Sequence, residues 1–298
     1  MMWKQRTDLA VEAKELWQKS AREQTKLEGV QARGDSREGF EVEIVQVLDK
    51  RGEQALDKPM GTYITITLDG LKQREEDAFG RAARAIAAEI KGLLGDLPAD
   101  APVLVAGLGN RAITPDAIGP LVHEYTMVTR HLVEQVPEHF GAFRPVASLS
   151  AGVLGTTGVE SGSLIRAVCD EIKPACVIAV DALASRSLHR VCRTVQLADT
   201  GIVPGSGVGN HRKALNKETL GIPVVAVGVP TVVDGATLAM DLLGQEDLPK
   251  LAQGVENLMV TPRDIDAQVA DLSKVIGFGI DLALHDGLSV EDVVLFLS

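Results

Sequence analysis

Two short stretches of this 298-residue chain each deliver an aspartate at the end of an apolar run. The first, GLGNRAITPDAIGP (Gly107 to Pro120), closes such a run with a glycine-rich turn and then presents Asp116. Thr114 suits a helix N-cap, Pro115 the first helical position and Asp116 the first turn. Gly107, Gly109 and Asn110 let backbone approach backbone and leave an open crevice before the aspartate. The second, VIAVDALASR (Val177 to Arg186), runs four apolar residues into Asp181. Taken singly, each aspartate reads as a cap or as a complement to a helix dipole. On neighbouring strands the two would face one crevice. Carboxylates that close cannot both ionise cheaply, so the pair shares a proton. The ionised member can then take a proton from water, while the protonated one polarises a carbonyl or protonates a leaving amine. That is the apparatus of water-activating hydrolysis.

Other chemistries have weaker sequence support. GSGVGN (Gly205 to Asn210) is glycine-rich around Gly207, but it lacks the Lys-Ser/Thr ending of a phosphate-binding loop and does not directly follow a strand. It reads as a mobile crevice loop, with His211 beside it. No G-x-S-x-G surrounds any serine, so Ser150 and Ser163 read as sheet-end and helix-cap hydroxyls. His123-Glu124 opens a metalloprotease-like pair, but Tyr-Thr-Met follows and breaks it. The cysteines, Cys169, Cys176 and Cys192, are odd in number and lack ligand spacing, which fits reduced, buried thiols. No cofactor and no metal is expected. Two further readings remain: a metal-dependent maturation-type peptidase in which Asp116, Asp181 and a histidine hold an ion, and a nucleotide- or small-molecule-binding module built on the glycine loop.

The elements that must position these residues follow from periodicity. Helical spacing from Asp8 onward picks out Leu9, Ala13, Leu16, Trp17 and Ser20. A polar, glycine-containing stretch follows, around Gly29 to Gly39. Glu41 to Asp49 and Gly61 to Gly70 alternate apolar and polar residues, as an antiparallel pair with one solvated face does. Phe79, Ala83, Ile86, Ile90 and Leu94 form one helical stripe, ended by Gly95. Five fully apolar runs then alternate with helical patterns: 102–109, 145–153, 176–182, 191–199 and 222–230. This implies an α/β fold with a mostly parallel central sheet flanked by helices. Helical patterns fall near Ile118 to Val136 and Glu160 to Lys173, and a last helix is expected to start at Thr261-Pro262. The whole chain reads as one unit, with a β-rich part at 41–70 and an α/β core at 101–298.

Composition narrows the field. A net charge of -11 repels phosphate backbones, so direct nucleic-acid binding is not expected. No apolar run is long enough for a membrane span, and the N-terminus lacks a signal-peptide core.

Several blocks resemble the germination proteases: RTDLAVEA (Arg6 to Ala13), GLGN…TPDAIGP, VDALASRS (Val180 to Ser187), GSGVGNHRKALN (Gly205 to Asn216), VGVPTVVDGATL (Val227 to Leu238) and MVTPRDID…LSKVIGFGIDLALH (Met259 to His285). The resemblance implies an endopeptidase of the forespore and spore core that cleaves small acid-soluble spore proteins at germination. It implies a homotetramer made as a zymogen, with catalytic aspartates at Asp116 and Asp181. It also implies self-cleavage at Asp8–Leu9, making residues 1–8 a short pro-segment. Asp8 suits an N-cap there, so the bond is expected where ordered chain begins. The fold also resembles the hydrogenase-maturation endopeptidases, which carry a similar Gly-x-Gly-Asn turn.

Overall fold

The computed structural model describes residues 7–20, 27–205, 213–243, 255 and 258–298. In chain order the main elements are α1 (Ala10–Ser20), β1 (Val30–Arg37), β2 (Phe40–Val47), β3 (Gly61–Thr67), α2 (Ala78–Leu94), β4 (Val103–Leu108), α3 (Ile118–Glu124), β5 (Val146–Gly152), α4 (Ser161–Ile172), β6 (Cys176–Ser185), β7 (Thr194–Ala198), β8 (Val224–Asp234), α5 (Gly235–Leu243), β9 (Met259–Val260), α6 (Ile265–Leu284) and α7 (Val290–Leu297). The apolar runs have become strands that send alternate side chains to opposite faces. In β4, Val103 and Val105 enter one core, and Leu104, Ala106 and Leu108 enter the other. A strand buried on both faces has no polar side, which is why these runs read as continuously apolar.

The strands form one sheet in the order β1-β2-β3-β7-β8-β6-β4-β5, with β9 paired to β8. The segment β8-β6-β4-β5 is parallel. From β1 to the β7–β8 junction every pairing is antiparallel. α2, α3 and α6 cover one face, while α4 and α1 cover the other. The α/β class, the flanking helices and the β2–β3 antiparallel pair agree with the sequence reading. The pair is enlarged by β1, which falls in the polar, glycine-containing stretch. Six of the eight β1 residues are exposed, so no apolar alternation marks it. β3 pairs with β7, so the N-terminal strands continue the main sheet.

Three boundaries differ from expectation. The pattern from Ile118 to Val136 breaks after Glu124, because tertiary contacts pin the turn: the Met127 N–H donates to Asp281 and the Thr129 hydroxyl to the Arg144 carbonyl. The last long helix starts at Ile265 with Asp264 as N-cap. Thr261 instead donates its hydroxyl to the Thr231 carbonyl (2.8 Å). α1 starts at Ala10, and the Asp8 carboxylate accepts from the Ala184 N–H. All three cysteines are buried and unbridged. Burial pushes the Cys176 thiol up to about 11 and Cys192 to about 12, so neither is a ready nucleophile at neutral pH. Among the described residues no helix is long and apolar enough to cross a membrane.

Two titratable groups, one on α6 and one at its C-cap, are buried in this fold. Asp281 is fully buried, and burial pushes its carboxyl well above the ordinary 3.8. His285, one turn on, is pulled from 6.5 to about 4 by burial and by the nearby Arg144 charge. The folded chain keeps the Asp281 proton where the unfolded chain has released it, so this group lowers stability as pH rises above about 4. His285 acts oppositely. The unfolded chain takes up a proton below 6.5 and the folded chain does not, so stability falls as pH drops from 6.5 towards 4. Asp281→Asn keeps an acceptor for Met127 and removes only the first contribution. The variant should be more stable than wild type at neutral pH. Its stability should rise between about pH 4 and 6.5 with a slope of up to about 1.4 kcal/mol per pH unit. Urea melts across that range check this, and a variant curve parallel to wild type would mean that Asp281 is ionised in the fold.

Candidate active site

β4 and β6 pair directly and in parallel, and their last matched pair is Gly107 with Val180. Asp181 lies one residue beyond that pair, and the turn bearing Asp116 leaves the end of β4. Asp116 therefore stands beyond the carboxyl end of β4, and Asp181 lies on the adjacent strand just past the last β4–β6 pair, on the side where open α/β sheets bind ligands. Asp181 is not a helix cap. It lies inside β6, which continues to Ser185 beside β8, with Asp181 opposite Gly228. Asp181 is 4% exposed, and its Oδ1 accepts from the Ala182 N–H (2.9 Å).

Asp116 ends a single 3-10 turn, Thr114–Asp116, in which Ile113 rather than Thr114 holds the N-cap position. The Thr114 hydroxyl donates instead to Asp266 (2.7 Å). Asp116 is half-buried. The Asn110 N–H donates both to Asp116 Oδ2 (2.8 Å) and to the Asp116 carbonyl (3.0 Å), folding the turn back onto the strand end. Glycines make this possible. Gly109 has φ +107°, and a Cβ there would lie 2.1 Å from the Asp116 carbonyl oxygen. A Cβ on Gly107 would lie 2.2 Å from the Gly119 carbonyl oxygen, and one on Gly119 would lie 2.5 Å from that of Val180. The start of α3 thus rests directly on the ends of β4 and β6.

Of the remaining sequence-derived residues, Gly109 and Asn110 are at the site as expected. Gly207 and His211 lie outside the described residues. Asp8 and Leu9 lie close to the β6 exit, and both are held by the fold. The Asp8 N–H donates to the Ala184 carbonyl (2.9 Å), and the Asp8 carbonyl accepts from Lys58 Nζ (2.9 Å) and Gln196 Nε2 (3.2 Å). Leu9 is 0% exposed. Sequence reasoning missed Thr231, whose hydroxyl reaches from β8 to the Pro115 carbonyl (2.6 Å) and ties the Asp116 turn to a third strand. It also missed Glu12 and Glu15 of α1, which look like a solvated helix face. Their only signal is the spacing Asp8, Glu12, Glu15. A third strand-end aspartate, Asp234, accepts from the Thr237 N–H and hydroxyl, as a helix cap does. Among the described residues no three His, Cys, Asp or Glu side chains are grouped to hold a metal ion.

Comparison with known proteins follows the same line. The family model described as germination protease matches residues 10–246. A germination protease of Caldanaerobacter subterraneus is 42% identical over 97% of this chain and 96% of its own length. One from Clostridium perfringens is 40% identical over the whole of both chains, and one from Bacillus pumilus is 37% identical over 97% and 95%. Among solved structures, a NiFe hydrogenase maturation protease from Thermococcus kodakarensis aligns with 63% of this chain and 96% of its own, at 18% identity and a TM-score of 0.36. With a family model spanning most of its length and relatives matched end to end, the chain belongs to the germination protease family.

Proposed function

We propose that this endopeptidase cleaves small acid-soluble spore proteins at germination, and that Asp116 and Asp181 activate the attacking water. The observation that supports the aspartate reading is the parallel pairing of β4 with β6, with Asp181 just past the last matched pair and Asp116 in the turn that leaves β4. In the proposed reaction the ionised carboxylate takes a proton from water as the oxygen attacks the peptide carbonyl carbon. The protonated partner donates to the carbonyl oxygen. The tetrahedral intermediate then collapses, the C–N bond breaks and the leaving amine is protonated. The Asn110 N–H and the Thr231 hydroxyl hold the Asp116 turn, so the geometry is set before substrate arrives.

Three further features belong to the same proposal: assembly as a homotetramer, residence in the spore core and self-processing at Asp8–Leu9. In the conformation described, that bond is buried and held by Ala184, Lys58 and Gln196, so cutting it requires the segment to open locally. Light scattering reads the assembly, and a monomer at working concentration argues against the tetramer. Localisation in spores with a fluorescent fusion tests the compartment, and signal confined to the mother cell would refute it.

Asp116→Asn and Asp181→Asn preserve volume and remove the shared-proton chemistry. Each variant should lose at least about a thousandfold in kcat on a spore acid-soluble protein, or about 4 kcal/mol of transition-state stabilisation, with unchanged circular dichroism. Near-normal turnover in either makes that aspartate structural. Exhaustive chelation should leave wild-type activity intact. Loss with EDTA, restored by one divalent ion, would move the site to the metal-dependent reading. For processing, wild-type protein held at mildly acidic pH should acquire a new N-terminus at Leu9, and Asp181→Asn should not. A fully active enzyme whose N-terminus never changes removes the pro-segment from the account.

A further inference from the structure

β4 stops at Leu108, but β6 runs on past Asp181 to Ser185 and then turns through Arg186 and Ser187. Beyond Asp181, β6 keeps its strand neighbour β8, while β4 no longer accompanies it. The backbone N–H groups of this exit need acceptors, and α1 with its leading segment supplies them. Asp8 Oδ2 accepts from the Ala184 N–H (2.8 Å). Glu12 Oε2 accepts from the Arg186 N–H (2.6 Å), and Glu12 Oε1 accepts from the Ser187 N–H (3.1 Å). Glu15, one turn further, pairs with Arg190 (2.8 Å) and lies 3.5 Å from Arg186. The spacing of four and then three residues sets all three carboxylates on one side of the segment.

Glu12 is the centre of this arrangement. It is 0% exposed and also accepts from the Thr7 hydroxyl, with Arg190 Nη1 3.5 Å away. The opposite side of α1 is anchored independently. Ala10 and Ala13 pack against Val45, Tyr63, Ala198 and Ala226, and the Ala10 N–H donates to Gln196 Oε1 (2.8 Å). Arg186 is in turn held from α5 by Asp241 (2.8 Å). A carboxylate fixed to a packed helix and bonded to two successive backbone N–H groups leaves that backbone little freedom.

We propose that Glu12 is a positioning residue for the peptidase reaction: it fixes the main chain leaving β6, and through it the orientation of Asp181. The proposal rests on the reading of Asp181 as catalytic. Glu12's bonds to Arg186 and Ser187 involve no residue before Leu9; of its partners, only the Thr7 hydroxyl lies on the far side of the Asp8–Leu9 bond.

The test uses the full chain with a spore acid-soluble protein as substrate. Glu12→Gln exchanges one acceptor oxygen for a donor that faces other donors. Its kcat should fall at least tenfold while KM changes less than twofold, measured at a temperature where near-ultraviolet circular dichroism matches wild type. The pH profile of kcat should also move, because displacing Asp181 changes its coupling to Asp116, and a residue that only stabilised the fold would leave that profile alone. Glu12→Asp keeps the charge one methylene short and should lie between Gln and wild type; it carries the test if Glu12→Gln does not fold. Asp181→Asn is run alongside. An inactive Asp181→Asn with folded Glu12 variants at wild-type kcat and pH profile overturns the positioning role and leaves the dyad standing. An active Asp181→Asn overturns the dyad, and with it the role of Glu12.

Discussion

A side-chain carbon on Gly119 would lie 2.3 Å from main-chain atoms of Leu108 and 2.5 Å from the Val180 carbonyl oxygen, so only a glycine fits where α3 meets the strand ends. That contact docks α3 on the last pair of the β4–β6 ladder. It sets how far the chain travels between leaving β4 and entering α3, and Asp116 lies within that distance. The Gly109 turn then bends the segment so that one N–H, that of Asn110, can reach both the carboxylate and the carbonyl of Asp116. If these two strands were not neighbours, Asp116 and Asp181 would be separate strand-end acids, each explicable as a local structural feature. The proposed pairing of the two acids rests on the parallel ladder, and the ladder can lie this close to α3 only because side chains are absent at Gly107 and Gly119.

Much of this could be read from the residues alone, for identifiable reasons. A strand sandwiched between helix layers must be apolar on both sides, so β4, β6 and β8 announce themselves without alternation. α2 carries a regular apolar stripe and a glycine C-cap at Gly95 with φ +59°, and the sequence shows both. The features that were not legible are those decided by partners distant in sequence. β1 is a strand because β2 supplies its hydrogen bonds, and its own side chains carry no pattern. The break after Glu124 has no proline or cap to mark it. It is fixed by Asp281, more than 150 residues later, accepting from the Met127 N–H. Thr114 and Thr261 both look like helix caps, and both spend their hydroxyls on tertiary contacts instead. Local capping preferences amount to about 1 kcal/mol, which a single tertiary hydrogen bond can match.

The same reasoning explains why the role of Glu12 is invisible in sequence. An acidic residue on an amphipathic helix is ordinarily solvated, and nothing in AVEAKELW distinguishes Glu12 from Glu15. Desolvating a carboxylate costs several kcal/mol. Two charge-assisted bonds from the Arg186 and Ser187 N–H groups, about 1.5–3 kcal/mol each, can offset that cost. The net contribution to stability is then small. What such a buried group supplies is selectivity among conformations, because any arrangement that withdraws the donors leaves the charge uncompensated. The β6 exit consequently has one favoured path past α1.

That path joins two parts of the molecule that the sequence presents as separate. α1 packs its apolar side over the antiparallel strands through Val45 and Tyr63, and over β7 and β8 through Ala198 and Ala226. Its acidic side and the segment leading into it grip the chain at Ala184, Arg186 and Ser187, beyond Asp181. A displacement of α1 therefore cannot stay local. It would strip acceptors from Ala184, Arg186 and Ser187 while uncovering Leu9 and Val11, which pack on Leu183 two residues beyond Asp181. Opening the Asp8–Leu9 segment is a smaller event, because Glu12 and Glu15 keep their holds when Asp8 releases Ala184. The fold thus separates release of the leading residues, which removes the Asp8 contacts with Ala184 and the Thr7 donor to Glu12, from release of the helix, which would dismantle the exit of the strand that bears Asp181.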